Sequence, residues 1–163
     1  MLIRNVTSAD LNEIYRIESE NFAPEEAATY EAMKWRISKI SDTFLIAEIG
    51  GQIAGYIEGP AISARHLTDD LFETVVKNPA TGGFIAVTSL SVDLKFQGKA
   101  VGTRLISALK AVACEQKRDG INLTCHDYLI AYYEKYGFIN EGKSQSTHGG
   151  ASWYDMVWEN SEL

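Results

Sequence analysis

Residues 84–117, "FIAVTSLSVDLKFQGKAVGTRLISALKAVACEQK", pass from an apolar run to an amphipathic one through a short junction. The junction, "KFQGKAVGTR", holds two glycines and three of the chain's 15 basic side chains. The preceding run "GFIAVTSLSV" carries no charge, which predicts a long strand covered on both faces. The run that follows puts Leu105, Ile106, Leu109, Val112 and Ala113 on one helical face. A strand that enters a helix directly leaves the first N–H groups of the helix unpaired. Together with the helix dipole, those donors make a seat for an anion. Gly98 and Gly102 let the chain turn tightly and a phosphate approach the backbone, while Lys99 and Arg104 add positive charge. A pyrophosphate suits such a seat. Neither G-x-x-x-x-G-K-[ST] nor G-x-G-x-x-G is present, which argues against a kinase or a dehydrogenase.

The rest of the chain supplies a sheet and its covering helices. "LIRNV" reads as a first strand, Ser8 as the cap of a helix with Leu11, Ile14, Tyr15 and Ile17 on one face, and Pro24–Lys39 as a second helix. "FLIAEI", Gly50-Gly51 and "QIAGYIEG" form a hairpin. Residues 61–81 read as an inserted loop with one short helix over 67–77. "INLTC" is a buried strand, "YLIAYYEKYG" a helix closed by Gly137, and the C-terminal residues a hairpin turning at Gly149-Gly150. With 163 residues, 45% of them hydrophobic, one globular domain over 1–163 is expected. The net charge of −7 argues against nucleic acid and acidic membranes and suits a neutral or cationic partner. No apolar stretch has signal-peptide or membrane-span length, so the expected location is the cytoplasm. Cys114 and Cys125 read as core thiols, and no metal is expected.

Val92-Asp-Leu-Lys-Phe96-Gln97-Gly98-Lys99-Ala100-Val101-Gly102 resembles the Q/R-x-x-G-x-G/A phosphate motif of the GNAT N-acetyltransferases. Tyr132-Tyr-Glu-Lys-Tyr-Gly137-Phe138 is similar to that family's F/Y-Y-E-K/R-x-G-F. Leu94 replaces the usual proline, and Ala100 replaces the middle glycine, a change compatible with the loop if its φ stays negative. The resemblance implies an α/β (α+β) fold: a mixed, mostly antiparallel sheet of about seven strands, flanked by helices and splayed between the fourth and fifth strands. It implies acetyl-CoA in that splay, with the backbone of Leu90, Ser91 and Val92 on the pantetheine. The pyrophosphate falls to the backbone from Gln97 through Gly98, Lys99, Ala100, Val101 and Gly102 to Thr103. It also assigns Tyr133 as the general acid for the leaving thiolate.

The acceptor ammonium has a pKa near 10 and must lose a proton before attack. Candidate bases are Glu58 at the end of the third strand, His126 after the fifth, and His148 in the last hairpin. Leu123–Phe138 is also similar to the arylalkylamine (serotonin) N-acetyltransferases, as is Ser89-Leu90-Ser91-Val92. The H-x-H pair of their animal enzymes is replaced by Ala86 and Thr88, so that proton relay does not carry over. The expected reaction is acetylation of a primary amine of a small molecule, arylalkylamine or polyamine-like, by direct attack. Acetylation of protein lysines or N-termini, and a non-catalytic acyl-CoA-binding module, are the alternatives. The 61–81 insertion, with Asp69, Asp70 and Glu73, suits a narrowed pocket better than a peptide groove. The Ser144–Gly150 segment reads equally as a cover for the acceptor site and as an exposed turn, and monomer and homodimer both stay open.

Overall fold

The computed structural model describes residues 1–162. Strands β1 (Leu2–Asn5), β2 (Phe44–Ile49), β3 (Gln52–Glu58) and β6 (Ser89–Val92) form one antiparallel sheet in the order β1-β2-β3-β6. A second sheet has the order β4-β5-β7-β9-β8, built from Ala61–Ile62, Phe84–Ala86, Gly120–Cys125, Tyr154–Glu159 and Ile139–Lys143 respectively. Only the β5–β7 pair is parallel. Helices α1 (Leu11–Asn21) and α2 (Tyr30–Lys39) cover one face of the first sheet, and α3 (Val101–Glu115) packs on the other. A short α4 (Ile130–Glu134) follows β7.

The expected long strand is divided, and the division opens the site. Val87 N–H donates to Asn122 O of β7 at 2.8 Å, whereas the next N–H, that of Thr88, donates to Glu58 O of β3 at 2.9 Å. One continuous apolar stretch thus changes partner at a bulge and belongs to both sheets. The two sheets diverge beyond it, which gives the expected splay; the division and the short β4 bring the expected seven strands to nine among the described residues. Period-two alternation places Phe44 and Ile46 of β2 in the core beneath α1 and α2. Leu45 and Ala47 enter the core beneath α3 with Leu105, Leu109 and Ile121. Burial of each such large side chain contributes roughly 1.5–3 kcal/mol.

Four local readings are corrected. The first helix is entered through a turn at Ser8–Asp10, in which the Asp10 carboxylate accepts from Thr7 N–H at 2.8 Å. The second helix begins at Tyr30, not Pro24: Thr29 Oγ1 caps it by accepting from Ala32 N–H at 3.1 Å. The preceding loop is held open because Ala28 N–H donates to the Glu18 carboxylate at 2.9 Å. Residues 67–77 hold only a turn at Asp69–Phe72. Arg36 takes the Phe72 carbonyl at 2.9 Å, the acceptor that a helix continued to Lys77 would offer to the Val76 N–H, and Trp35 takes the Val75 carbonyl at 2.8 Å. The last two strands pair as expected, but residues 144–153 connect them as a loop that folds onto the segment between α1 and α2. Gly149 packs there with φ +63°, and a Cβ on it would lie 2.7 Å from Glu26 Cγ. Among the described residues no helix is long and apolar enough to cross a membrane.

Candidate active site

Strand β6 is paired with β3 on one edge and faces the gap with the other. Asp93 N–H donates to Ala54 O at 2.8 Å. By the alternation of an antiparallel ladder, Ser91 and Ser89 continue the bonded pairs with Tyr56 and Glu58. Leu90 and Val92 therefore turn their N–H and C=O groups into the splay. Asn21, at the end of α1, already holds this edge in part: its Nδ2 donates to Val92 O at 2.7 Å and to Ser91 Oγ at 2.6 Å.

A cavity of about 790 Å³ runs from this edge to the start of α3. Every expected cradle residue lines it except Lys99, which is exposed to solvent. The first bond from α3 to the preceding loop is Arg104 N–H to Ala100 O, 3.1 Å, and Val101, Gly102 and Thr103 have no backbone acceptor among the described residues. Ala100 is a correction. Its φ is +62° rather than negative, so an alanine occupies the left-handed conformation that glycine takes without strain. The cost is on the order of 1–2 kcal/mol. The cationic wall also differs from expectation, because the lining base is Lys135, its ammonium over the rings of Tyr136 at 5.2 Å and Tyr132 at 5.6 Å.

A second cavity, about 660 Å³, meets the first where both are lined by Leu90, Tyr133, Asn21 and Phe22. Tyr133 is buried edge-on between Tyr132 and Phe138, at centroid distances of 5.1 and 5.8 Å. Its hydroxyl has no hydrogen-bond partner among the described residues. Burial pushes this phenol well above its ordinary pKa, with the neighbouring Tyr132 a smaller cause. It therefore stays protonated at neutral pH, in the form that can give up a proton.

The three candidate bases lie differently. His126 lines the second cavity, its Nε2 2.9 Å from Glu26 Oε1, stacked between Trp153 at 4.2 Å and Tyr128 at 5.4 Å. His148 lines it too, stacked on Phe72 at 3.8 Å with Nε2 3.0 Å from Glu26 O. Glu58 is fully buried and lines neither of these cavities. Its Oε1 accepts from Arg36 Nη1 and from Thr88 Oγ1, both at 2.8 Å, and its Oε2 has no partner. Burial pushes its carboxyl up, and Arg36 opposes the shift. The structure thus brings Tyr133, His126 and His148 to one space and leaves Glu58 behind the Thr88 hydroxyl.

A third cavity of about 500 Å³ shares Glu18, Glu26, Phe72, Thr88 and His148 with the second. The insertion supplies Asp69, Phe72 and Glu73 to its wall. Asp69 accepts from Ser146 Oγ and, at 3.1 Å, from Thr147 N–H, so the serine-rich loop is fastened to the insertion as part of that wall. Glu18, Glu26, Phe72 and Trp153 escaped the sequence reading. One signal did exist: Glu18 lies four residues after Ile14 and seven after Leu11, an acid on the apolar stripe of α1.

The architecture has many solved counterparts. The loading GNATL domain of CurA from Lyngbya majuscula superposes with a TM-score of 0.81 at 12% identity, covering 99% of this chain and 98% of that one. The GphF GNAT-like decarboxylase, solved with isobutyryl-CoA, gives 0.79 at 13% identity over 98% and 100% of the two chains. The ribosomal-protein-alanine N-acetyltransferase from Brucella melitensis gives 0.71 at 21% identity over 98% and 99%. At such identities these are likenesses of fold. No curated protein sequence matches the chain significantly. The sequence itself, however, matches the acetyltransferase (GNAT) domain model over residues 10–160, a span that takes in α1, the divided strand, the α3 cradle and Tyr133. A GNAT acetyltransferase domain, of the family that binds acetyl-CoA or another acyl-CoA, is what this chain belongs to.

Proposed function

We propose that the protein, acting as one domain over residues 1–163, transfers an acetyl group from acetyl-CoA to a primary amine of a small molecule by direct attack. The observation that carries this reading is the enclosure of the acceptor side. The 61–81 insertion and the 144–153 loop, joined through Asp69, wall two connected cavities whose inner end meets the cradle at Leu90 and Tyr133. A pocket so walled suits a compact amine better than an extended peptide. Its aromatic lining (Phe72, His148, His126 and Trp153) favours a substrate with an aryl or alkyl body.

The cradle's free N–H groups and the outward edge of β6 fit acetyl-CoA, which supplies an acetyl group activated as a thioester. The N–H of Leu90 is placed to receive the negative charge that develops on the acetyl oxygen. Asn21 fixes the β6 edge that carries it. The Tyr133 phenol protonates the departing sulfur, which otherwise attacks back.

The test is turnover with acetyl-CoA, read as free thiol, for phenethylamine, spermidine and a peptide with a free N-terminus. A small amine is expected to react fastest; preference for the peptide overturns the reading. CoA that raises the melting temperature without any turnover identifies a binding module instead. Tyr133→Phe is expected to lower kcat by about 10²–10³ while CoA binding is kept. Full retention of rate removes Tyr133 as the acid.

A further inference from the structure

The buried carboxylates of this protein divide by what they hold. Among the described residues, Asp10 holds Arg4 at 2.8 Å, Glu58 holds Arg36 at 2.8 Å and Asp93 holds Arg16 at 2.6 Å. A buried carboxylate is costly unless it is paired and hydrogen-bonded, and an arginine meets that need in each case. Glu18, only 2% exposed, has no cation within 4 Å. Asp155 has none either, but it lines neither acceptor cavity.

Glu18 is held instead by neutral donors. Its Oε1 accepts from Tyr56 OH at 2.5 Å and from Ser89 Oγ at 2.7 Å, and its Oε2 accepts from Ala28 N–H at 2.9 Å. A carboxylate offers about four lone-pair sites. Three are taken here, which leaves one on Oε2. Burial keeps the Tyr56 phenol well above its ordinary pKa, so Tyr56 remains a donor. The three contacts fix the carboxylate between β6 and the loop before α2 and leave its charge without a counter-ion.

The place of that charge gives it a task. Glu18 lines both acceptor cavities. Its bond to Ser89 sets it one residue before Leu90, at the junction with the cradle. Of the other acids near this space, Glu26 meets His126, Asp69 meets Ser146 and Thr147, and Glu58 meets Arg36 behind Thr88, while Glu25 and Glu73 are exposed and line only the third cavity, away from Leu90.

We propose, resting on the amine-acetylating reading above, that the acceptor's ammonium is the cation missing from Glu18, and that Glu18 is the base that deprotonates it. The ammonium donates to the free site on Oε2, which selects a cationic primary amine and aims it at the cradle. One N–H proton passes to Glu18, which becomes a neutral acid. The nitrogen lone pair then forms the bond to the acetyl carbon, and the carbon–sulfur bond breaks. Tyr133 gives its proton to the sulfur and regains one from the acylated nitrogen. Glu18 returns its proton to solvent through the acceptor cavities, so one proton is released per acetyl group transferred.

The experiment compares Glu18→Gln with the unaltered protein on two acceptors of one shape. Phenethylamine is an ammonium with a pKa of about 10 at an assay pH of about 8. Its β,β-difluoro analogue is largely neutral there. For phenethylamine kcat/KM is expected to fall by about 10²–10³, and for the neutral analogue by less than about tenfold, because no base is then needed. The rise in melting temperature on adding CoA serves as the fold control. Equal losses for both amines, with that rise intact, overturn the proposal and leave the proposed function standing. If the unaltered protein acetylates neither of these amines nor spermidine, the proposed function falls and this assignment with it. Should Glu18→Gln fail to fold, Glu18→Asp keeps the charge but withdraws it by one methylene, and the same two amines and criteria apply.

Discussion

The donor side and the acceptor side of the splay are built from different materials. The cradle is backbone: the edge of β6, a left-handed Ala100 and the unpaired first turn of α3, contiguous in sequence from Leu90 to Thr103. The acceptor side is side chain. Its carboxylates, histidines and aromatic rings come from α1, the loop before α2, the insertion, the segment after β7 and the last loop. Backbone donors discriminate little between side chains, so a site made of them holds one cosubstrate under wide sequence change. A site made of side chains from five segments changes with any one of them. The first suits a constant donor, the second an acceptor that varies among relatives.

The largest expected difference is in stability. Arg36→Met removes the partner of the fully buried Glu58 and releases the Phe72 carbonyl of the insertion. It is expected to cost about 3–5 kcal/mol in urea unfolding. Lys99→Ala, on the exposed rim of the cradle, is expected to stay within about 0.5 kcal/mol. Equal costs would mean that the two sides share one load.

A smaller and sharper test pairs one substitution from each side. A Cβ on Gly102 would lie 2.7 Å from the Tyr132 hydroxyl, inside the cradle. Gly102→Ala is expected to raise the KM for acetyl-CoA about tenfold, near 1.4 kcal/mol, and leave the amine KM unchanged. Phe72→Ala is expected to do the reverse, losing about 1 kcal/mol of contact with a cationic amine. Crossed effects would break the division.

The smallest effect concerns Ala100. Ala100→Gly relieves the left-handed strain of about 1–2 kcal/mol but gives back about 0.4–1 kcal/mol in unfolded-chain entropy. A net gain of about 0.5–1 kcal/mol is expected, read as a higher melting temperature. A fall would show that the loop does not hold this conformation in solution.

The same contrast governs what could be read before folding. The cradle was legible because its chemistry follows from consecutive residues: an apolar strand, small residues, then an amphipathic helix. The bulge was not, since nothing in "GFIAVTSLSV" marks the Val87–Thr88 step at which partners change; that step is dictated by β3 and β7. The 67–77 stretch stops at the Asp69–Phe72 turn, where Arg36, more than thirty residues away, takes the Phe72 carbonyl that a longer helix would use. Tyr133 stands out through its local pattern, and the structure puts it where the first two cavities meet. Glu18 was missed because its meaning depends on Tyr56, Ser89 and Ala28, each remote from it in sequence or held by a loop. Glu58 was visible as an acid at a strand end, but its arginine was not.

The outward edge of β6 also bears on how the free protein behaves. An unpaired strand edge is a template for another chain, and proteins usually blunt such edges. Here the edge is four residues long, recessed between diverging sheets, and partly satisfied by Asn21 at Val92. The pantetheine arm, with its own amide groups, would serve as the absent neighbouring strand. Cosubstrate occupancy would then act as protection against self-association as well as preparation for chemistry.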